Sequence, residues 1–525
     1  MKLVILLSLC ISIVAGSPPT TTTTGWAGAA YTPARAPGNS LWLWNFTTYA
    51  SQVDAELSAL RRHFGFNTIR FFLHNMVFDA DGGKTLRNNL NAFFDVAHKN
   101  GMKSSLGPFW DDCWQGTGAS LTTACVPIPG RHNGCWMQSP QSDERLGPAG
   151  YERFHDYVAS TIAAFGNDTR VRYIEISNEP HDSQPTAGWS MGLRDASYRV
   201  AKSMSPNVPV LSCWDDNNNT DVVDMHRYDT NFPGWTQQVY ANVGKGALIT
   251  EGGSRWFQVY PADSGSPLTV MTWYHRLMAS GDAKFDFGMI LNWEMMVGES
   301  NTRWHWNTPD DTPEPTIPWD GWMFSDGTPV SYTEAAVMRN WTLKQNDLLH
   351  YNKWIPESSG HAFTADTFLT LSGPSGVYGT GALGAVSDYV VETTVWGVSG
   401  GILFRASADG TRGYYAGVEA STMMLNLQVW TPTGQVNTVG RFNVSALACG
   451  WAMNGWNMLR VVVKGFGIDV YVNPMAPEAY AGKIMPRISW TDGYQVYPDG
   501  EVFLRALTGT GTRFDYIGVM PTSVL

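Results

Sequence analysis

The sequence predicts two folds in series: an α/β (β/α)8 TIM barrel and, after it, an all-β jelly-roll sandwich. Three observations carry this reading. From residue 25 to about residue 346, short apolar runs alternate with stretches of helical period, the order that builds a parallel sheet wrapped by helices. After about residue 355 the runs alternate with period two, are separated by Gly-, Asn- and Pro-containing turns and include no long helical stretch, as in antiparallel sandwiches. The chain of 525 residues, 43% of them hydrophobic, has material for more than one core.

The elements follow in chain order. Residues 1–16 read as a secretory signal peptide: Lys2, an apolar run from Leu3 to Val14, then small residues at Ala15, Gly16 and Ser17. The run is too short to cross a bilayer, and Pro18 and Pro19 stop it from continuing as a helix. Residues 17–24 form a Pro/Thr-rich tether. The expected product is secreted, with no membrane contact after signal cleavage. The barrel domain spans 25–355, with strands expected at 25–31, 67–74, 102–109, 171–178, 208–213, 222–228, 247–251 and 285–293. The clearest helices are 50–64, 85–99, 151–165, 188–203 and 267–280. Between the fifth and sixth strands, 214–221 is too short and polar for a helix. The segment 110–148 is rich in Gly, Pro and Cys and reads as a long loop on the catalytic face. The sandwich domain, 356–525, has strands expected at 386–396, 400–406, 413–419, 423–430, 457–463, 467–473, 500–506 and 514–519.

Composition narrows the partners. The formal net charge of −11 argues against a nucleic-acid partner. Of the 23 tryptophans, most fill cores, but those beside loops suit sugar recognition, since a pyranose packs its C–H face on an aromatic ring. The cysteines left after signal removal, Cys113, Cys125, Cys135, Cys213 and Cys449, fit no zinc spacing, and an odd number leaves one without an intrachain partner. Sequons stand at Asn45, Asn167, Asn218, Asn340 and Asn443. The polar run Asp215 to Asp221 reads as a turn rather than a calcium loop. No metal or other cofactor is implied.

In such a barrel, functional side chains gather at the C-terminal ends of the strands. The fourth strand runs Tyr173-Ile174-Glu175-Ile176-Ser177-Asn178-Glu179-Pro180, and the seventh runs Ala247-Leu248-Ile249-Thr250-Glu251. Each finishes on a glutamate. Retaining glycoside hydrolysis needs two carboxyl groups about 5–5.5 Å apart, one as acid/base and one as nucleophile, and two strand-end glutamates facing across a barrel mouth meet that need. Period two puts Asp224, His226 and Tyr228 on one face of the sixth strand. Arg70 points inward from the second strand, and Trp293 ends the eighth. An arginine and a tyrosine can hold a carboxylate ionised, while a tryptophan can stack on sugar. Glu175, four residues before Glu179, reads as a structural barrel charge, and Glu294 as pointing away.

This pattern resembles the clan A (β/α)8 glycoside hydrolases, closest to family 5, the cellulase and mannanase family. That family pairs Asn-Glu-Pro after strand four with a strand-seven glutamate, Arg on strand two, His-x-Tyr on strand six and Trp on strand eight. Here these are Asn178-Glu179-Pro180, Glu251, Arg70, His226-Arg227-Tyr228 and Trp293. The resemblance implies that Glu179 is the acid/base, Glu251 the nucleophile, and that Asn178 contacts the sugar 2-hydroxyl. It departs at strand three, where the family carries a histidine and this chain has Gly107-Pro108-Phe109-Trp110-Asp111-Asp112. The implied activity is retaining hydrolysis of a β-linked glucan, mannan or related glycan. The alternatives are a glycosidase acting on a glycolipid or oligosaccharide, and a non-catalytic carbohydrate-binding protein. Further expectations are that the charge of Glu251 raises the pKa of Glu179, and that a disulfide ties the 110–148 loop and holds Trp110, Trp114 or Trp136 beside the cleft. The sandwich resembles concanavalin A-like, laminin-G-type jelly rolls. It either binds glycan or packs on the barrel, the first slightly favoured. The sequence leaves the oligomeric state open.

Overall fold

The computed structural model of the chain describes residues 26–38, 41–111, 113, 120–123, 125–140, 148–180, 189–213, 218–228, 247–253, 255, 289–343, 350–351, 362–363, 369–371, 377–379, 387–396, 399–419, 421–446, 451–473, 484–494, 496–507 and 512–525. The signal and tether segments, the 267–280 helix, Trp114, Cys449 and Asp215 to Asn217 lie outside the described residues. No helix among the described residues is long and apolar enough to cross a membrane.

Eight parallel strands form one sheet: β1 Trp26–Ala30, β2 Thr68–Arg70, β3 Lys103–Leu106, β4 Val171–Glu175, β5 Val210–Leu211, β6 Val223–Arg227, β7 Ala247–Gly252 and β8 Met289–Asn292. They neighbour one another in chain order, and β1 pairs with both β2 and β8. This is the strand order of a (β/α)8 barrel. The closed barrel expected from the sequence is not completed by backbone pairing, however. Among the described residues the ladder is open between β5 and β6. The cause is local. β5 is two residues long, and the polar residues before β6 take over its edge. The Asp221 amide donates to Val210 O at 2.8 Å, the Val210 amide donates back to the Asp221 carboxylate at 2.9 Å, and Ser212 N donates to Thr220 Oγ1 at 3.2 Å.

Helices α1 Leu41–Trp44, α2 Phe46–Phe64, α3 Asn75–Asp79, α4 Lys84–Lys99, α5 Pro148–Phe165 and α6 Trp189–Ser203 occupy the strand connections. In α2, Val53, Leu57, Leu60 and Phe64 recur at three- and four-residue spacing and are buried, the stripe that seats a helix on a sheet. Gly65 ends it in the left-handed region at φ 71°, its amide bonded to Arg61 O, where a Cβ would be strained. The same core takes Leu86, Leu90, Phe93 and Phe94 of α4. A further helix, α7 Tyr332–Leu343, was not expected from the sequence. It is buried on nearly every side, so it lacks the one-sided stripe that marks a surface helix.

Beyond α7, two antiparallel sheets stack. One carries strands 389–396, 456–464, 467–472, 488–491 and 512–521 with shorter pieces at its edge, and the other strands 399–406, 413–419, 424–430, 436–443 and 501–506 with 377–379. Inward residues of both, among them Val391, Phe404, Leu427, Val461 and Ile517, make one core.

The sandwich packs on the barrel through a buried charged knot. Glu392, on strand 389–396, accepts hydrogen bonds from Ser331 Oγ at 2.9 Å, from the Tyr332 and Thr333 amides at 3.1 and 3.0 Å, and from Thr333 Oγ1 at 3.0 Å. It thereby caps the N-terminus of α7, whose first amides have no partner within the helix. Arg460 donates to Glu392 at 2.6 Å with both side chains buried, and also to the Pro329 and Val330 carbonyls.

Candidate active site

The polar centre of the sheet is Arg70, the last residue of β2. Its side chain is fully buried over the ring of Phe72, 4.8 Å away. Such a cation needs compensating acceptors, and three residues supply them. Nε and Nη2 grip the Glu175 carboxylate at 2.9 and 2.6 Å, Nη2 also reaches Asn178 Oδ1 at 2.6 Å, and Nη1 donates to Glu251 Oε2 at 2.8 Å. Glu175 is thus structural in a specific sense: it anchors the guanidinium that holds Glu251.

Glu251 reaches the mouth by an irregularity. Along β7, Ile249 packs outward in the barrel core and Leu248 inward. Strict alternation would then turn Glu251 outward. The register with β6 slips between Met225 and His226, so that Met225 faces Ile249 and His226 faces Glu251. The extra residue, Thr250, faces inward and donates to Asp224, and Glu251 follows it to the same side. Such bulges re-aim side chains beside active sites.

Glu179 sits on the turn that leaves the fourth strand, with φ 32°, a left-handed conformation uncommon outside glycine. Its side chain is 24% exposed, against 7% for Glu251. His226 stands between the two. Its Nδ1 lies 2.6 Å from Glu179 Oε1 and 3.6 Å from Glu251 Oε1, and acceptor atoms of the two glutamates and this nitrogen all fall within 4.8 Å of one another. Tyr228 donates its hydroxyl to Glu251 Oε1.

Two cysteines complete the surround. The Cys113 thiol contacts Glu179 Oε2 at 3.6 Å, and Cys213 Sγ lies 3.9 Å from His226 Nε2. Burial pushes the Cys213 thiol up to about 12, and burial with the charges of Asp111 and Glu179 pushes Cys113 higher still. Both remain thiols, not thiolates, and neither is a nucleophile here. A disulfide joins Cys125 to Cys135 within the 110–148 segment.

Protonation departs from the sequence reading. Burial acts to raise the pKa of Glu179, but the hydrogen bond and charge of His226, with Arg70 behind, outweigh it, and the carboxyl is held below its usual range rather than raised. Burial acts to lower His226, yet the Glu251 carboxylate, Cys213 and Glu179 hold it well above the usual histidine range. The substrate-free site thus keeps its mobile proton on His226 Nδ1, shared with Glu179. Asp224, fully buried, is pushed up to about 8 by burial and by Glu175; it is neutral at pH 7. Burial and Glu251 raise Tyr228 as well, so it stays a donor.

The remaining expected residues divide. Asn178 is held by Arg70, and Trp293 lies at the end of β8, its amide donating to Gly252 O at 3.0 Å. Trp293 packs edge-on against Phe72 and Trp136, each at 5.6 Å. Trp110 is not brought to the site. It has no exposed surface and lies in the core layer that also holds Ile249 and the helix residues Leu90 and Phe93, while its backbone pairs with Ser177 in a short second ladder. Trp136 is buried too, its indole N–H bound to Asp111 at 2.9 Å. Glu294 is buried near Glu251, and burial raises it to about 8.

Glu179, His226 and Glu251 have the spacing of metal ligands, as do Cys213, Asp224 and His226. The guanidinium 2.8 Å from Glu251 already supplies the positive charge a cation would bring, and the arrangement is that of a carboxylate pair with its own counter-charge.

No family model matches the sequence, and no curated protein does. Among solved structures the chain is similar to a GH30 endoxylanase from Clostridium papyrosolvens C71, at 12% identity over 95% of this chain and 96% of that one, with a TM-score of 0.36. It is similar to a putative beta-galactosidase from Bacteroides fragilis, at 11% identity over 80% and 55%, TM-score 0.40. It is similar to the carbohydrate-binding module CBM66 from Bacillus subtilis, at 15% identity over 33% of this chain and 97% of that one, TM-score 0.25. These likenesses are weak, and the functional reading rests on the site geometry.

Proposed function

We propose that the chain is a secreted retaining glycoside hydrolase of β-linked glycans. One observation carries this reading: two glutamates at the ends of β4 and β7 face each other with carboxylate oxygens within 4.8 Å, one clamped by Arg70 and Tyr228 and the other in contact with the His226 imidazole. That spacing suits the retaining geometry of about 5–5.5 Å and not the roughly 6.5–9.5 Å of inverting enzymes.

Glu251 is the nucleophile. Arg70 and Tyr228 both donate to its carboxylate and aim it. Glu179 is the acid/base, and its proton comes from His226. As Glu251 bonds to the anomeric carbon its negative charge is consumed. That charge is what holds the proton on the imidazole, so the proton passes through Glu179 to the leaving oxygen. In the second step Glu179 takes a proton from water, which attacks the anomeric carbon and frees Glu251. Glucan, mannan or a related glycan is the substrate class.

The test is direct. A 2-fluoro glycoside should label Glu251, and NMR of early product should show the anomeric configuration retained. A label elsewhere, or inverted product, overturns the assignment. A chain that binds a panel of glycans but turns none over would be a binding protein instead.

A further inference from the structure

A second concavity, of about 430 Å³, opens between the loop that follows β8 and the sandwich. It contains no residue of the carboxylate pair. Trp304, His305, Glu314 and Trp319 line it from the barrel side, Ala452 and Gly455 from the sandwich side. The volume falls in the range of small-molecule sites, roughly 300–1,000 Å³.

Its walls are aromatic. His305 stands 4.3 Å from Trp319 and 4.1 Å from Trp306, ring centre to ring centre. Trp306 does not line the concavity itself but lies beside it against His305, and is 46% exposed, unusual for so large an apolar ring. Among the described residues that line it, the two charged side chains pair with each other. Arg303 gives Nε and Nη2 to Glu314 at 2.7 and 2.9 Å, and Nη1 to Gly298 O and Asn301 Oδ1 at 2.7 and 2.8 Å. Burial holds His305 below the usual histidine range, hence uncharged at pH 7. Aromatic faces with a neutral, hydrogen-bonding rim fit neither an acidic peptide nor a uronic acid. They fit the C–H faces and hydroxyls of neutral pyranoses.

The concavity is joined to the reaction centre by backbone. Trp319 O accepts from the Arg255 amide at 3.2 Å, four residues past Glu251, and the Arg255 side chain is locked by Glu334 at 2.7 Å.

We propose that this inter-domain concavity binds a segment of a neutral glycan chain and holds polymeric substrate near the site. The idea rests on the glycosidase reading for its purpose, though not for its chemistry. Holding the chain at a second point raises its local concentration at the first.

The test uses the full chain carrying Glu251→Gln, titrated calorimetrically with cellohexaose, mannohexaose and xylohexaose. Trp306→Ala removes the exposed ring, and Ala452→Trp fills the cavity from the sandwich side. Each should remove one equivalent of bound hexasaccharide. With Glu251 intact, each should leave aryl-glycoside hydrolysis unchanged and raise the KM for polymer about tenfold. Unaltered binding in both variants overturns the proposal, as does failure of all three hexasaccharides to bind. Aryl-glycoside turnover by the unmodified chain judges the glycosidase reading separately: if it is absent while the two variants still lose a bound hexasaccharide, the second site stands and the hydrolase reading falls.

Discussion

Arg70 touches three acceptors from two parts of the chain, Glu175 and Asn178 on one and Glu251 on the other, and His226 touches both members of the glutamate pair. These two cations set the site's proton inventory. Because the pKa of His226 is raised, its proton is present at neutral pH and is lost as pH climbs through that raised value. Activity should therefore fall on the alkaline side above the ordinary histidine range. In His226→Asn the limb reports Glu179 alone and should move to lower pH by at least about one unit, the equivalent of roughly 1.4 kcal/mol. The pH profile of kcat/KM reads it, and a limb that stays in place would refute the shared proton. Strand-end position marked Glu179 and Glu251 in the sequence, period two put His226 and Tyr228 on one face, and the family resemblance added Arg70 to them. Cys113 and Cys213 were read there only as disulfide candidates, since nothing in sequence spacing shows a thiol meeting a carboxylate across a barrel. Trp110 failed for the opposite reason: a tryptophan after a strand carries no mark of which way its ring will turn.

At the scale of the element, the Thr250 bulge decides where Glu251 points. Removing Thr250 restores the plain register with β6 and leaves Glu251 inward but one residue, about 3.3 Å, deeper along the strand, away from its present place opposite Glu179. The deletion variant should keep its far-ultraviolet circular dichroism and lose turnover. Retained turnover would show that the bulge does not aim the nucleophile. The sequence reads β7 as a strand ending on a glutamate at the mouth, but nothing in it marks the bulge that turns the glutamate there. Pattern also fails where burial is extreme. The α7 sequence Tyr332-Thr333-Glu334-Ala335-Ala336-Val337-Met338 is buried on all sides, so it has no polar face for periodicity to detect. Strand 436–443 is largely exposed and sets only Val439 and Phe442 against the core, so its apolar residues do not alternate. Most other strand centres lay where the apolar runs put them.

Across the whole molecule, barrel and sandwich share a charged core at Glu392 and Arg460. This favours the packing role over the glycan-binding role first preferred for the sandwich, although the concavity between the two gives it a part in both. Glu392→Ala leaves the Arg460 charge buried without its partner and α7 without its cap, a loss of about 3–5 kcal/mol. Chemical denaturation should show it as one cooperative transition moved to lower denaturant. A barrel that holds its stability in this variant would mean the knot is incidental. The position of Glu392 has a further consequence, for the order in which the nascent chain can fold. The residue that caps α7 follows it by about 60 positions, and strand 512–521, which pairs with Glu392's own strand, is made later still. While these are unmade, the barrel's last helix ends in bare amides and its outer face has no cover. The ribosome therefore releases a barrel that must wait for its neighbour, and the time between the two is when the chain is most exposed to aggregation.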